Sequence, residues 1–436
     1  MAETKRRLNL NVGINPTGYL GAGWKYRTGT HHDIADPAYY LKLARIAHKG
    51  VFDAVFVSDM PQLPTGQPSR PGQIIDPLIL ATAITSQVPD IGFVATVSST
   101  FNAPFNLARR AQSIDIFSGG RLVINIVSNF QPNVAANFTA EGLPPREVRY
   151  ARAIEFLDVA KALWASWDPR KEGPIPEGEF WDSSVAHTID HHGRFFDVRG
   201  PLNVPRGPQG HPVIAQAGGS EGGIELAARH GEIIYCNILS RGAGQAFRSR
   251  VNARAIAAGR DPSGIRLVPG LVPIIADSRE EALRKHELYS GAGSEDALLR
   301  RFAEAHGIPL ADFDPDAPLA AEAFVPDQNR ITAVGFTQGL VDLLEHDRLT
   351  AREAVRRSEG NHQLALGTPE QIADQIIDLW ADGTVDGYTI QPPRAPDDIE
   401  LFVEKVIPIL QDRGVYPRVY TPGETVRDRY GLPYPD

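Results

Sequence analysis

The chain has little cysteine and no long apolar run, and each shortage excludes a class of protein. Its 436 residues include one cysteine, Cys236, which excludes an internal disulfide and a cysteine-rich zinc site. No stretch of 18 apolar residues occurs, so the sequence predicts no transmembrane helix. The N-terminus lacks the apolar segment of a secretory signal. The sequence therefore predicts a cytoplasmic protein.

Basic clusters and common catalytic motifs are also missing. The formal net charge is −9, which argues against a nucleic-acid surface. No Walker loop, G-x-S-x-G elbow or zinc-protease helix is present, so kinase or hydrolase chemistry has no motif. The pairs His31-His32 and His191-His192 suggest metal binding, but adjacent residues of a strand face opposite sides. We expect no metal site.

Apolar segments alternate with helix-patterned segments along the chain, which is typical of a parallel α/β sheet. A dinucleotide-binding open sheet needs G-x-G-x-x-G directly after its first strand, and Gly18, Gly21 and Gly23 have the wrong spacing. The alternation predicts a TIM (β/α)8 barrel with insertions. We expect one domain over residues 1–436, with insertions near 165–210 and 280–345. The eight predicted strands are 8–14, 52–57, 91–97, 122–127, 212–216, 233–236, 266–275 and 387–390.

Small polar residues follow several of these strands. Thr96, Ser98 and Ser99 lie at the end of the third strand, and Ser128 follows the fourth. Ligands bind at the carboxyl ends of parallel strands, so these residues indicate a site. Asp59 follows the second strand, where it could accept a hydrogen bond, act as a base, or cap a turn.

A glycine cluster at 218–223 precedes a predicted helix. Backbone N–H groups at a helix N-terminus bind anions, and Ser220 adds a hydroxyl. The cluster predicts a phosphate site, or else a simple turn. Tyr150, at the head of another helix, could reach the same phosphate or pack against the core. Tyr19, Trp24 and Phe130 flank the first and fourth strand ends, where aromatic rings suit a flat apolar ligand or a lid.

Several stretches together carry a resemblance to a known family. They include KGVFDAVFVSD at 49–59, STFNAPFNLARRAQSIDIFSGGR at 99–121, INIVSNF at 124–130 and LGTPEQIADQI at 366–376. The chain resembles the flavin-dependent monooxygenases of the bacterial-luciferase-like superfamily. It is most similar to the branch that contains nitrilotriacetate, dibenzothiophene-sulfone and long-chain-alkane monooxygenases.

The resemblance implies a mechanism. Family members use O2 and reduced FMN, which a separate NAD(P)H-dependent flavin reductase supplies. A C4a-hydroperoxyflavin then oxygenates a small organic or xenobiotic substrate while water is excluded. The resemblance also implies a homodimer or homotetramer. The region 291–330 is a candidate lid or else an ordinary surface excursion. Two alternatives stay open: a deazaflavin-dependent oxidoreductase of the same superfamily, and a flavin-binding barrel without catalysis.

Matching positions assign roles to particular residues. The resemblance places Asp59, Thr96, Asn125 and Ser128 beside the flavin ring, and Tyr150 and Ser220 at the FMN phosphate. The fourth-strand motif, commonly W-N-V-V-T-S, reads INIVSN in this chain. Phe130 and Tyr19 stand where an alkane-oxidising relative has histidines. With Trp24, they are the expected substrate-pocket residues, and a histidine-assisted reaction is not expected.

Overall fold

The computed structural model describes residues 6–63, 75–168, 185–306, 308–310, 313–324, 334–360 and 362–435. Within these residues the main sheet has eleven strands in the order β11-β12-β10-β13-β1-β2-β3-β4-β7-β8-β9, and β5 pairs with β6 in a separate hairpin. The strands are β1 Asn9–Gly13, β2 Ala54–Val57, β3 Gly92–Ser98, β4 Leu122–Val127, β5 His191–His192, β6 Asp197–Val198, β7 Val213–Ala217, β8 Ile233–Tyr235, β9 Arg266–Leu267, β10 Gly270–Ile275, β11 Ser358–Glu359, β12 His362–Gly367 and β13 Gly387–Ile390.

The main sheet curls until its last strand lies beside its first. Strand β1 pairs in parallel with both β2 and β13. The backbone N–H of Asp386 donates to Leu267 of β9, and that of Gln391 donates to Leu271 of β10, both at 2.8 Å. Strand β13 therefore contacts both halves of the segment from β9 to β10. The result is a curled parallel α/β sheet of the TIM-barrel-like kind.

Helices follow most strands, and their ends carry recognisable signals. Pro37, Pro77, Pro104 and Pro369 occupy the first turns of their helices, where a missing N–H costs nothing. The helices are α1 Pro37–Lys49, α2 Pro77–Thr85, α3 Pro104–Ser118, α4 Pro132–Ala135, α5 Arg146–Trp164, α6 Glu221–His230, α7 Arg241–Ala257, α8 Arg279–Ser290, α9 Glu295–His306, α10 Val334–His346, α11 Ala351–Val355, α12 Pro369–Ala381, α13 Asp397–Lys405, α14 Ile407–Asp412 and α15 Val426–Arg429.

Two predicted elements are interrupted in the structure. The sequence over 280–302 predicts one continuous helix, but α8 ends at Ser290 and is followed by Gly291, whose φ of 76° breaks the helix. The strand expected over 266–275 is divided into β9 and β10. Of the two predicted insertions, the described part of 165–210 contains the β5–β6 hairpin, and the described part of 280–345 is mainly helical. The candidate lid at 291–330 lies partly outside the described residues.

The interior of the curled sheet is filled by side chains from alternate strand positions. Ala54, Val94, Val123 and Ile233 pack together there with Val426 and Tyr430 of the C-terminal segment. Because side chains in a strand alternate between two faces, the residues two positions further along point into the same interior. The C-terminal segment closes the end of the sheet where the strands begin, so the opposite end is the mouth.

The C-terminal segment is held by a buried ion pair. Arg427 is fully buried, and its guanidinium donates to Glu232 Oε1 at 2.5 Å and to the carbonyl of Pro433 at 2.7 Å. Arg429 donates to the carbonyl of Asp53 at 3.1 Å. A buried charge needs such partners, so this segment is an integral part of the closed end. Within the described ranges, no helix combines the length and hydropathy needed to cross a bilayer.

Candidate active site

The mouth of the sheet collects polar side chains from neighbouring strands. Thr96 of β3 and Asn125 of β4 are partners in the strand register. The Asn125 Nδ2 group donates to Thr96 Oγ1 at 3.0 Å, and both residues are buried. The other amide atom, Asn125 Oδ1, is buried and has no hydrogen-bond partner among the described residues. An unpaired buried acceptor costs free energy, so this oxygen suits an N–H donor of a ligand.

A second pair of side chains lies beside the glycine cluster. The Tyr150 hydroxyl on α5 lies 3.0 Å from Ser220 Oγ, and Ser220 caps α6 by accepting the N–H of Gly223 at 3.3 Å. A Cβ at Gly222 would lie 2.6 Å from the Tyr150 ring, so the tyrosine approaches only because residue 222 is glycine. The backbone N–H groups of the first helical turn and the positive end of the helix dipole lie at the same point. The structure thus joins Tyr150, Ser220 and a helix N-terminus, which are groups of the kind that bind anions.

Asp59 lies half-buried just beyond β2. Burial, and secondarily the negative charge of Asp76, raises the pKa of the Asp59 carboxyl to about 6. Met60 N–H donation opposes this shift but is the smaller effect. The carboxyl therefore changes charge near neutral pH, which allows it to hold or release a proton at the rim.

Ser128, Trp24 and Phe130 are more exposed than the Thr96–Asn125 pair, and Tyr19 is half-buried. The carbonyl of Ser128 accepts a hydrogen bond from Thr100 Oγ1 at 2.7 Å, and the Ser128 side chain is half-buried. Trp24 and Phe130 are 36% and 38% exposed, and no hydrogen bond or ring contact joins either to the Thr96–Asn125 pair in the described part of the chain. Tyr19 donates its hydroxyl to the carbonyl of Gly360 at 3.0 Å.

Sequence reasoning missed a polar network inside the mouth. Gln391 Nε2 donates to the Tyr235 hydroxyl at 2.9 Å, and that hydroxyl lies 2.8 Å from His362 Nε2. Tyr235 ends β8, His362 begins β12 and Gln391 follows β13, so no local pattern links them. The only available signal was that Tyr235 and Gln391 each stand at a strand end. Among the described residues, no three His, Cys, Asp or Glu side chains are grouped as a metal site.

Comparison with known proteins identifies what this arrangement is similar to. Residues 22–387 match the model of the luciferase-like monooxygenase family. Nitrilotriacetate monooxygenase component A of Aminobacter aminovorans is 34% identical, over 99% of this chain and 97% of that protein.

Solved structures agree with the family match. The EDTA monooxygenase from Chelativorans sp. BNC1 is 39% identical with a TM-score of 0.85, covering 98% of this chain and 99% of that one. A riboflavin lyase solved with modified FMN and riboflavin is 28% identical with a TM-score of 0.78, covering 97% and 95% of the two chains.

Proposed function

The chain belongs to the luciferase-like monooxygenase family, and from this membership we propose that it is an FMN-dependent monooxygenase of a two-component system. It is an enzyme and an oxidoreductase, as its named relatives are monooxygenases. The observation that carries the FMN assignment is the Tyr150–Ser220 pair at the N-terminus of α6. An FMN phosphate there would meet two hydroxyl donors and free backbone N–H groups.

The residues at the mouth fit the other end of FMN. The flavin ring carries an N–H donor as well as carbonyl acceptors, and Asn125 Oδ1 is a buried acceptor that lacks a partner among the described residues. Thr96 fixes the amide by accepting from its Nδ2 group, so that Oδ1 is the atom left for a ligand. We propose that Ser128 and Asp59 complete the ring surroundings at the rim, as the family resemblance implies.

Bound reduced FMN supplies electrons with which one atom of O2 enters the substrate and the other leaves as water. The protein's own residues orient the cofactor and the substrate and protect the reacting groups from water. The buried side-chain layer below the mouth, which includes Val94 and Val123, is closed by the C-terminal segment. This layer would exclude water from the side of a bound ring that faces the interior. Asp59, whose pKa is raised to about 6, can hold a proton near the reacting groups.

The proposal includes a partner and an assembly. We propose that a separate NAD(P)H-dependent reductase supplies reduced FMN, which the designation "component A" of the nitrilotriacetate relative supports. We also propose that residues 1–436 form one domain and that the barrel is closed by eight strands, with β9 and β10 counted as a single strand. We propose that the protein is a homodimer or homotetramer. We further propose that its substrate is a small organic or xenobiotic molecule and that it acts in the cytoplasm.

Rapid mixing tests the proposal without knowledge of the substrate. Protein loaded anaerobically with reduced FMN is mixed with O2, and the return of oxidised-flavin absorbance is followed. We expect reoxidation to be slower than that of free FMN, with peroxide released late, because the site shields the reacting ring. Reoxidation identical to that of free flavin would contradict the proposal. Binding of reduced deazaflavin in preference to reduced FMN would favour the hydride-transfer alternative. Binding of reduced FMN without any oxygenated product from added substrates would favour the non-catalytic alternative.

A further inference from the structure

Four aromatic rings form a continuous chain across the mouth. The ring of Phe56 stacks on Tyr235 with centroids 5.2 Å apart and planes 26° from parallel. Tyr235 and His362 have centroids 5.3 Å apart, and His362 and Tyr19 lie 5.1 Å apart. These rings come from β2, β8, β12 and the loop after β1. We name them the aromatic wall.

The wall reaches from the filled interior of the sheet up to the mouth. Phe56 belongs to the interior cluster and is the register partner of Val94. Ile233 packs in the same cluster, so Tyr235, two residues later in the same strand, points the same way. Phe56 and His362 are buried, whereas Tyr235 and Tyr19 keep part of their surfaces accessible at the mouth. Thr96 and Asn125 likewise follow the interior residues Val94 and Val123 by two positions.

Two glycines at inward positions make room for the groups that hold the wall. A Cβ at Gly270 would lie 2.5 Å from His362 Nδ1, and a Cβ at Gly13 would overlap the amide oxygen of Gln391. The imidazole and the amide therefore occupy space that strand side chains would otherwise fill. From there Gln391 donates to the Tyr235 hydroxyl, which can donate in turn to His362 Nε2.

The wall carries no charge. In the described part of the chain, no lysine or arginine forms a hydrogen bond, ion pair or cation–π contact with Phe56, Tyr235 or His362. Burial alone lowers the pKa of His362 to about 4, so the imidazole is neutral at pH 7. The loop after β1 carries two basic residues: Arg27 is paired with Asp33 at 3.0 Å, and Lys25 is exposed and lies over the Trp24 ring at 5.7 Å.

We propose that the aromatic wall is the substrate-binding surface of the oxygenation site and that it accepts a flat, uncharged group. This inference rests on the proposed function, since it places the substrate at the same mouth that Thr96 and Asn125 line. Flat apolar groups gain from stacking on aromatic rings. A carboxylate placed against this wall would lose its hydration without gaining a cation. The wall thus favours planar neutral substrates over polycarboxylates such as nitrilotriacetate.

Two probes of opposite character test the inference on the FMN-loaded protein. Dibenzothiophene sulfone is planar and neutral, and nitrilotriacetate is a tricarboxylate. Binding of each is measured by equilibrium dialysis and by the change that it causes in the flavin spectrum. We expect the sulfone to bind at least about tenfold more tightly. Tighter binding of nitrilotriacetate, or no binding of the sulfone, overturns the inference.

A matched pair of variants tests the location. Phe56→Leu removes a ring from the wall but keeps an apolar side chain, and Phe117→Leu makes the same change on the surface of α3, where Phe117 is 85% exposed. We expect Phe56→Leu to weaken sulfone binding about five- to tenfold while FMN binding changes less than about twofold. Equal sulfone binding by the two variants overturns the location. Loss of FMN binding by wild-type protein would instead refute the proposed function, so the two failures are distinguishable.

Discussion

Replacing Ser220 by alanine removes both a helix cap and a proposed cofactor contact, and a second cap variant separates the two effects. Ser220 Oγ accepts from the N–H of Gly223 at 3.3 Å and lies 3.0 Å from the Tyr150 hydroxyl, and the residue is 6% exposed. The variant loses a helix cap, which costs about 1 kcal/mol of stability. It also loses a donor to the proposed phosphate. A hydrogen bond to a charged group contributes about 1.5–3 kcal/mol, so the Kd for FMN should rise about ten- to a hundredfold.

Ser278→Ala provides the matched control. Ser278 caps α8 through the same contact, accepting from the N–H of Glu281 at 3.2 Å, but it stands at a different helix. Both variants should lower the melting temperature by a similar small amount, about 1 °C for a chain of this length. Only Ser220→Ala should weaken FMN binding, as measured by fluorescence quenching of the flavin. The reasoning is refuted if Ser220→Ala binds FMN as tightly as Ser278→Ala does.

Three further predictions concern charge. Arg427→Met should lower the free energy of unfolding by about 3–5 kcal/mol, because it leaves the buried Glu232 carboxylate without its cation. Adding Glu232→Gln should recover part of this loss, as measured by urea unfolding. An unfolding midpoint that Arg427→Met leaves unchanged would contradict this. Burial lowers the pKa of His211 and His362 to about 4 and that of His230 to about 3, so below about pH 6.5 these three side chains bind protons in the unfolded chain only. Burial raises the pKa of Asp59 and Asp115 to about 6, which opposes this effect with two groups. Stability should therefore fall modestly as pH falls from about 6.5 to 4, and a urea midpoint that rises over this range would contradict the assignment. The rate of flavin reoxidation should change near pH 6, where Asp59 titrates, and Asp59→Asn should remove that change; a profile that persists in the variant would assign it to another group.

Local patterns were sufficient for the strands and helices that surround the site. The run at 122–127 is apolar apart from Asn125. Gly119 and Gly120 precede it and Ser128 follows it, so its predicted limits match β4. The helix predicted to follow the glycine cluster, which the sequence pattern places at 221–230, matches α6, because Ser220 caps it and Gly231 follows it. In both places short-range signals and tertiary packing favour the same structure.

Other elements depend on contacts that the sequence does not display. Strand β12, residues 362–367, was not predicted, because its short apolar run pairs with β10 only after a long excursion in the chain. Helix α10 was also missed, and Gly339 within it weakens the helical pattern. The Tyr235–His362–Gln391 network needs the space left by Gly13 and Gly270, and only the curled sheet brings these residues together.

The side chains of the site also differ in how far the sequence predicted their positions. The family resemblance pointed to Thr96, Asn125, Tyr150 and Ser220, and the structure brings the first two and the last two into hydrogen-bonded pairs. Their roles toward FMN remain predictions. The expected pocket residues are aromatics near strand ends, but Phe130 is exposed at the rim while Tyr19 is part of the aromatic wall and contacts His362. Sequence position places a residue at the mouth without fixing the direction of its side chain.

Anaerobic titration with reduced FMN tests the central claim most directly. The account predicts saturable binding of one reduced FMN per chain, weakened in Ser220→Ala and in Tyr150→Phe, and no comparable binding of reduced deazaflavin. Absence of binding, or binding that both substitutions leave unchanged, would contradict the claim that this mouth is a flavin monooxygenase site.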